Sequence, residues 1–139
     1  MKTLTMILTT GLLAGVSLTT AAAQPQNQVT ASVPFDFKAG GVNFAASDYT
    51  FTEGSNGMLL IRDKANQNSA FVISYKGDNG RTEQQTKVLF HQYGTQYFLE
   101  GVAREGDSYT ASVVPSKDER QIRRASGAPG VLMLAARSR

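Results

Sequence analysis

Val29, Ala31, Val33, Phe35 and Phe37 alternate strictly with Thr30, Ser32, Pro34, Asp36 and Lys38. A period of two predicts a strand with one dry face and one wet face. Pro34 falls on the wet parity and has no N–H, so this strand is expected at an edge or with a local break. A turn follows over 38–41. Tyr49 and Phe51 mark a second strand that ends at Gly54-Ser55-Asn56-Gly57, where Asn-Gly suits a tight turn with positive φ. Residues 58–62 are apolar on both parities and predict a third, central strand. Residues 70–75, rich in β-branched and aromatic side chains, predict a fourth. The polar stretch 77–85, with Asp78-Asn79-Gly80, reads as the longest loop.

The segment 86–104 predicts two strands folded over Tyr93-Gly94-Thr95-Gln96. It holds four of the twelve aromatic residues and the only histidine. Val88, Phe90 and Gln92 share one face, and Leu89, His91 and Tyr93 share the other. Across the turn, Tyr97, Leu99 and Gly101 alternate with Phe98, Glu100 and Val102. A turn at Glu105-Gly106-Asp107 leads to a further strand with Tyr109, Ala111 and Val113. Connections this short demand antiparallel neighbours, so the expected order is a meander.

Pro115 closes that strand, and Ser116-Lys117-Asp118-Glu119 reads as a capping box. In such a box Ser116 accepts from the amide of Glu119, and the Glu119 side chain reaches back. The helix is expected over about 117–125, with Arg120, Arg123 and Arg124 near its negative end. Gly127-Ala128-Pro129-Gly130 stops it. The last apolar run, 131–136, reads as a strand closing onto the first or as part of a loose basic tail over 127–139. Seven or eight short strands and one late helix predict an all-β fold, a small antiparallel meander barrel or a sandwich. The barrel is preferred because closure removes exposed strand edges.

Composition changes this picture at both ends of the chain. Lys2, an apolar run over 4–18 and Ala21-Ala22-Ala23 have the layout of a cleaved secretory signal over 1–23. A polar lead-in over 24–28 would follow. The remaining 116 residues suffice for one domain with one core. The chain is cysteine-free, which excludes disulfides, iron–sulfur clusters and thiolate zinc sites. Residues 24–116 carry seven basic against nine acidic side chains, whereas 117–139 carry six against two. The excess positive charge therefore belongs to the C-terminus, and nucleic acid is not an expected partner.

Two segments resemble a known group. Val33-Pro34-Phe35-Asp36-Phe37 with 44–51 is similar to a "VPFDF … LPAGxYxV" opening. Leu89-Phe90-His91-Gln92-Tyr93-Gly94 with Tyr97-Phe98-Leu99 is similar to its "LVFHRYGDxYFL" core. The group comprises small exported β-rich proteins frequent in Acidobacteria-like genomes. Ala45 and Ser47 stand where that pattern has Pro and Gly, so the turn before the second strand is expected to differ. The resemblance implies one exported β-domain and implies no activity.

His91 is the natural candidate for acid–base chemistry, because imidazole titrates near neutrality. No second histidine and no Ser or Asp pattern accompanies it, so a structural histidine packed among aromatics is expected. Glu100 lies in an aromatic-rich strand and is expected either to pair with Arg62 or Arg104 or to line a cavity. His91, Tyr93, Tyr97 and Glu100 are the candidate ligand-binding residues. Arg120, Arg123 and Arg124 are the candidates for contact with an anionic envelope surface. No Gly-rich phosphate loop, nucleophile elbow or zinc motif occurs, and no catalytic residue, metal or cofactor is expected. The sequence therefore predicts an exported, periplasmic or extracellular, non-catalytic β-domain that binds an unknown partner. The alternatives are a carrier of a small apolar ligand in a hollow barrel, and an envelope-associated structural protein using its basic C-terminus.

Overall fold

The computed structural model describes residues 27–65 and 68–138. The expected signal segment and residues 24–26 lie outside the described residues. Among the described residues, no helix is long and apolar enough to cross a membrane.

Among the described residues, eleven strands and one helix follow one another: β1 (Gln28–Val33), β2 (Phe37–Ala39), β3 (Val42–Phe44), β4 (Ser47–Glu53), β5 (Met58–Asp63) and β6 (Ser69–Asp78), then β7 (Lys87–Tyr93), β8 (Gln96–Ala103), β9 (Tyr109–Val113), α1 (Lys117–Ser126), β10 (Gly130–Ala135) and β11 (Arg137–Ser138). The ten-residue alternation at the start is divided at Pro34 into β1 and β2. The dry parity nevertheless continues through the break, with Val29, Ala31, Val33, Phe37 and Ala39 all buried. The short hairpin β2–β3 turns over Gly40 and Gly41. Gly40 has φ +56°, and a Cβ there would lie 2.9 Å from Cγ1 of Val72, so this turn can sit against β6 only as glycine.

The strand order is β10-β7-β8-β9-β6-β5-β4-β1-β11, with β2 attached to β8 and β3 to β2. This corrects the expected meander. β9 lies between β8 and β6, so β6 to β9 form a Greek key in which 79–86 is the long connection. It also corrects the preferred barrel. The sheet is not closed, because the final segment pairs with β7 through Ala135 and reaches β1 only at Arg137 and Ser138. β10 comes near β1 without forming a ladder, and β1 itself ends before Pro34.

The sandwich alternative fits instead. β6 pairs with β5 over its first half and with β9 over its second, and so passes from one layer to the other. Strands that switch layers in this way make the corners of packed sheets.

The interior is filled. Val29, Val33, Tyr49, Phe51, Leu59, Ile61, Val88 and Phe90 are almost fully buried. The gap among Val29, Phe51, Leu59, Val102 and Ala111 is about 10 Å³, no more than a single water needs. Arg104 closes that end, with its guanidinium 2.8 Å from Asp107 Oδ2 and donating to Asn27 Oδ1 at 2.7 Å.

Tyr49 anchors the opposite end by donating from its hydroxyl to the carbonyl of Ala45. Burial, followed by the negative charges of Asp63 and Asp36, pushes its phenol up to about 12. The value in the unfolded chain is about 10, so the neutral phenol favours the folded state. That stability is complete below pH 10 and is lost as pH climbs toward 12. Tyr49→Phe is expected to remove the last phenolate step in an absorbance titration and to flatten the loss of Tm over this window. An unchanged last step would assign it to another tyrosine.

Candidate functional site

Helix α1 starts at Ser116, whose Oγ accepts from the amide of Glu119 at 3.2 Å, as the capping box predicts. The other half of the box is absent. Glu119 does not turn back to Ser116 but points into the sheet, 3% exposed, with Oε1 2.7 Å from Nδ1 of His91. With Glu119 as a carboxylate, which only accepts, the tautomer that fits this contact carries its proton on Nδ1. The second imidazole nitrogen, Nε2, lies 3.4 Å from Oε2 of Glu100. This is an ion-pair distance rather than a hydrogen bond, and that oxygen is buried without a hydrogen-bond partner.

Glu100 reaches this place through an irregularity in the β7–β8 ladder. Leu89 pairs with Gly101 and Phe90 with Leu99, so Glu100 is the extra residue of a bulge. Bulges of this kind re-aim a side chain out of its ordinary alternation. The expected partners of Glu100, Arg62 and Arg104, are corrected: Arg62 is exposed on β5, and Arg104 is engaged by Asp107, Asn27 and Tyr109. Gly101 beside the bulge is pressed against β9, where a Cβ would come within 2.6 Å of the Ala111 carbonyl oxygen.

Arg123, one turn after Glu119, completes the cluster. Its Nε donates to the hydroxyl of Tyr93 at 3.1 Å. That bond, with the nearby charges of Glu119 and Glu100, holds the guanidinium above its ordinary value. Tyr93 is buried, edge-on to Phe98 with ring centroids 5.6 Å apart. Both faces of β7 are thus covered: Val88 and Phe90 by the core, His91 and Tyr93 by the helix.

Of the four candidate ligand residues, His91, Tyr93 and Glu100 come together, and Tyr97 does not join them. Tyr97 stacks on Phe35 at 4.0 Å and accepts from Nε2 of Gln92. It lines a separate open cleft of about 430 Å³ with Phe37, Phe44 and Lys38. The three arginines are all exposed, but they also separate, since Arg123 reaches the sheet through its bond to Tyr93.

Glu119 was legible only as a cap. The signal that could have found it is helical spacing, because Glu119, Ile122 and Arg123 lie on one face of an otherwise polar helix.

Chemically the cluster fastens. Both imidazole nitrogens face carboxylates, and the helix covers the group, so neither nitrogen is directed at open space. Among the described residues, no group of three or more His, Cys, Asp or Glu side chains is placed to hold a metal ion.

A second feature was not anticipated from the sequence. Phe71, Ile73 and Tyr75 form a row on the outer face of β6, exposed by 64%, 63% and 54%. The buried parity of β6 is carried instead by Val72 and Ser74. Phe71, in the segment 70–75 whose pattern marks a strand, is an outward residue.

These features define a cysteine-free all-β domain of two layers with one helix pinned across its outer face. Comparison with protein-family models, with curated proteins and with solved structures gives no match.

Proposed function

We propose that the protein is an exported, non-catalytic β-domain working as a binding or interaction module. The observation that carries this reading is the uncovered row Phe71, Ile73 and Tyr75. Contiguous exposed apolar side chains on a folded domain mark surfaces that meet a partner. The filled interior favours a partner that docks outside the core over a ligand carried within it. The two carboxylates around His91 favour a structural role for the one histidine. Export is supported by Lys2, the apolar run after it and Ala21-Ala22-Ala23. Membership in the group of small exported β-proteins is proposed on the two segments around Phe35 and His91.

The double variant Phe71→Thr, Ile73→Thr tests the reading. Its binding of a hydrophobic fluorescent dye is expected to fall severalfold, with Tm kept within about 2 °C because both side chains are exposed. A panel of hydrolase and transferase substrates is expected to show no turnover. Turnover that disappears in His91→Ala would replace the binding reading with a catalytic one.

A further inference from the structure

The row on β6 lies beside an interrupted ladder. β9 pairs with β6 only from Ser74 onward, and the last link is the amide of Val114 donating to the carbonyl of Ile73 at 3.0 Å. From Ser69 to Val72, β6 is paired on the β5 side alone. β3 is likewise paired on one side alone, with β2. Between these two edges lies a cleft of about 470 Å³. Asn43, Phe44 and Ala45 form one wall, Ser69 and Ala70 the other, and Tyr49 the floor. Two sheet edges, each paired on one side alone among the described residues and flanking this cleft, call for one kind of occupant, because only an extended backbone offers amides and carbonyls to both.

We propose that this slot receives a short extended segment of another polypeptide, which becomes the missing strand between β3 and β6. This rests on the binding-module reading and names its partner.

The strand directions fix how it enters. β2 runs parallel to β8, and β8 is antiparallel to β9, which is antiparallel to β6. β2 therefore runs with β6, and β3 runs against it. An inserted strand must be antiparallel to one wall and parallel to the other. Antiparallel pairing is the stronger of the two, and β6 is the longer wall, so the segment runs antiparallel to β6.

Gly40, close against Val72, narrows one end of the slot, while Ala45 and Asn68 flank the other. A short stretch of about four residues, some 13 Å long, is the fitting length.

The chemistry of the segment follows from the walls. Residues 42–45 and 68–74 carry no charge, and Asp63, the charged residue that lines the slot, is buried and already accepts from Ser47 Oγ and the Ala65 amide. Inward side chains would lie on Phe44 and Ala70, and outward ones beside Phe71 and Val42. The segment is therefore uncharged and apolar or β-branched.

The first and last described residues do not reach the slot. Asn27 and Ser138 both lie at the Val29 and Phe51 end of the layers, away from Ala45.

Selecting a displayed library of random peptides against the protein, then measuring amide exchange with a synthetic copy of the strongest binder, tests the proposal. The expected binders are uncharged and β-branched, and they slow exchange over 42–44 and 69–71. N-methylation of the peptide at alternate residues removes its ladder bonds and is expected to weaken binding about tenfold. Phe71→Lys, a blunted edge, is expected to weaken it comparably at unchanged Tm. Binders that protect other residues, or that tolerate N-methylation in both registers, overturn the inserted strand and leave the module standing. A concentration-dependent dimer lost in Phe71→Lys makes a second copy the occupant and overturns the proposal. Failure of any peptide to enrich, together with dye binding unaffected by Phe71→Thr, Ile73→Thr, sinks both readings.

Discussion

Replacing Gly101 with alanine is expected to lower stability by about 3 kcal/mol and Tm by roughly 10 °C. The reason is space rather than backbone angle. A Cβ at this position would stand 2.6 Å from the Ala111 carbonyl oxygen, 2.9 Å from Thr110 Cγ2 and 3.0 Å from Ser112 Cα. Two of these atoms belong to the backbone of β9, which cannot step aside without leaving β8. The ladder between the two strands is only Gly101 to Ala103 long, so its displacement loosens the corner where β9 joins β6. Glu100, set by the same bulge, would lose its aim at His91. Gly130→Ala is the control, since its Cβ would meet nothing closer than 3.9 Å. Thermal unfolding of the two variants decides the matter, and equal Tm values would show that β9 yields freely.

Glu119→Ala is expected to cost about 2–3 kcal/mol, the range for breaking a well-buried charge-assisted bond. Its visible consequence is the release of α1. The helix buries little apolar surface, with Ile122 only half-buried. It is held by Glu119 on His91 and by Arg123 on Tyr93. A helix of ten residues is marginal by itself, so losing one of two polar anchors should let it fray. Helical circular dichroism should fall and amide exchange over 117–126 should quicken, while the sheet signal persists. Glu119→Gln keeps an acceptor for Nδ1 and should lose less than half as much. Unchanged exchange in Glu119→Ala would mean that Arg123 and Ile122 hold the helix unaided.

Much of this fold is legible along the chain. The parity of Val29, Ala31 and Val33 identifies a dry face because a strand with one buried side must alternate. Pro34 marks the break because it cannot donate to a ladder. Ser116 and Glu119 mark the start of α1, and the turn at Gly94 marks the β7–β8 hairpin. Other positions carry no such signal. The run from Ala70 to Tyr75 has apolar residues on both parities, so its pattern could not tell that Val72 faces the core and Phe71 the solvent. The bulge at Glu100 inserts one residue with no sequence cue, and it changes the partner of that carboxylate from an expected arginine to His91.

The sequence by itself determined the local elements, the break at Pro34, the cap at Ser116 and the one-domain scale, because these depend on neighbours a few residues apart. Tertiary structure alone decided that β6 meets β9, that the last strand pairs with β7 and leaves the layers unclosed, and that Glu119 meets His91. Each of these joins residues far apart in the chain, where the outcome is set by which ladders and buried surfaces compete best, and no local period records that competition.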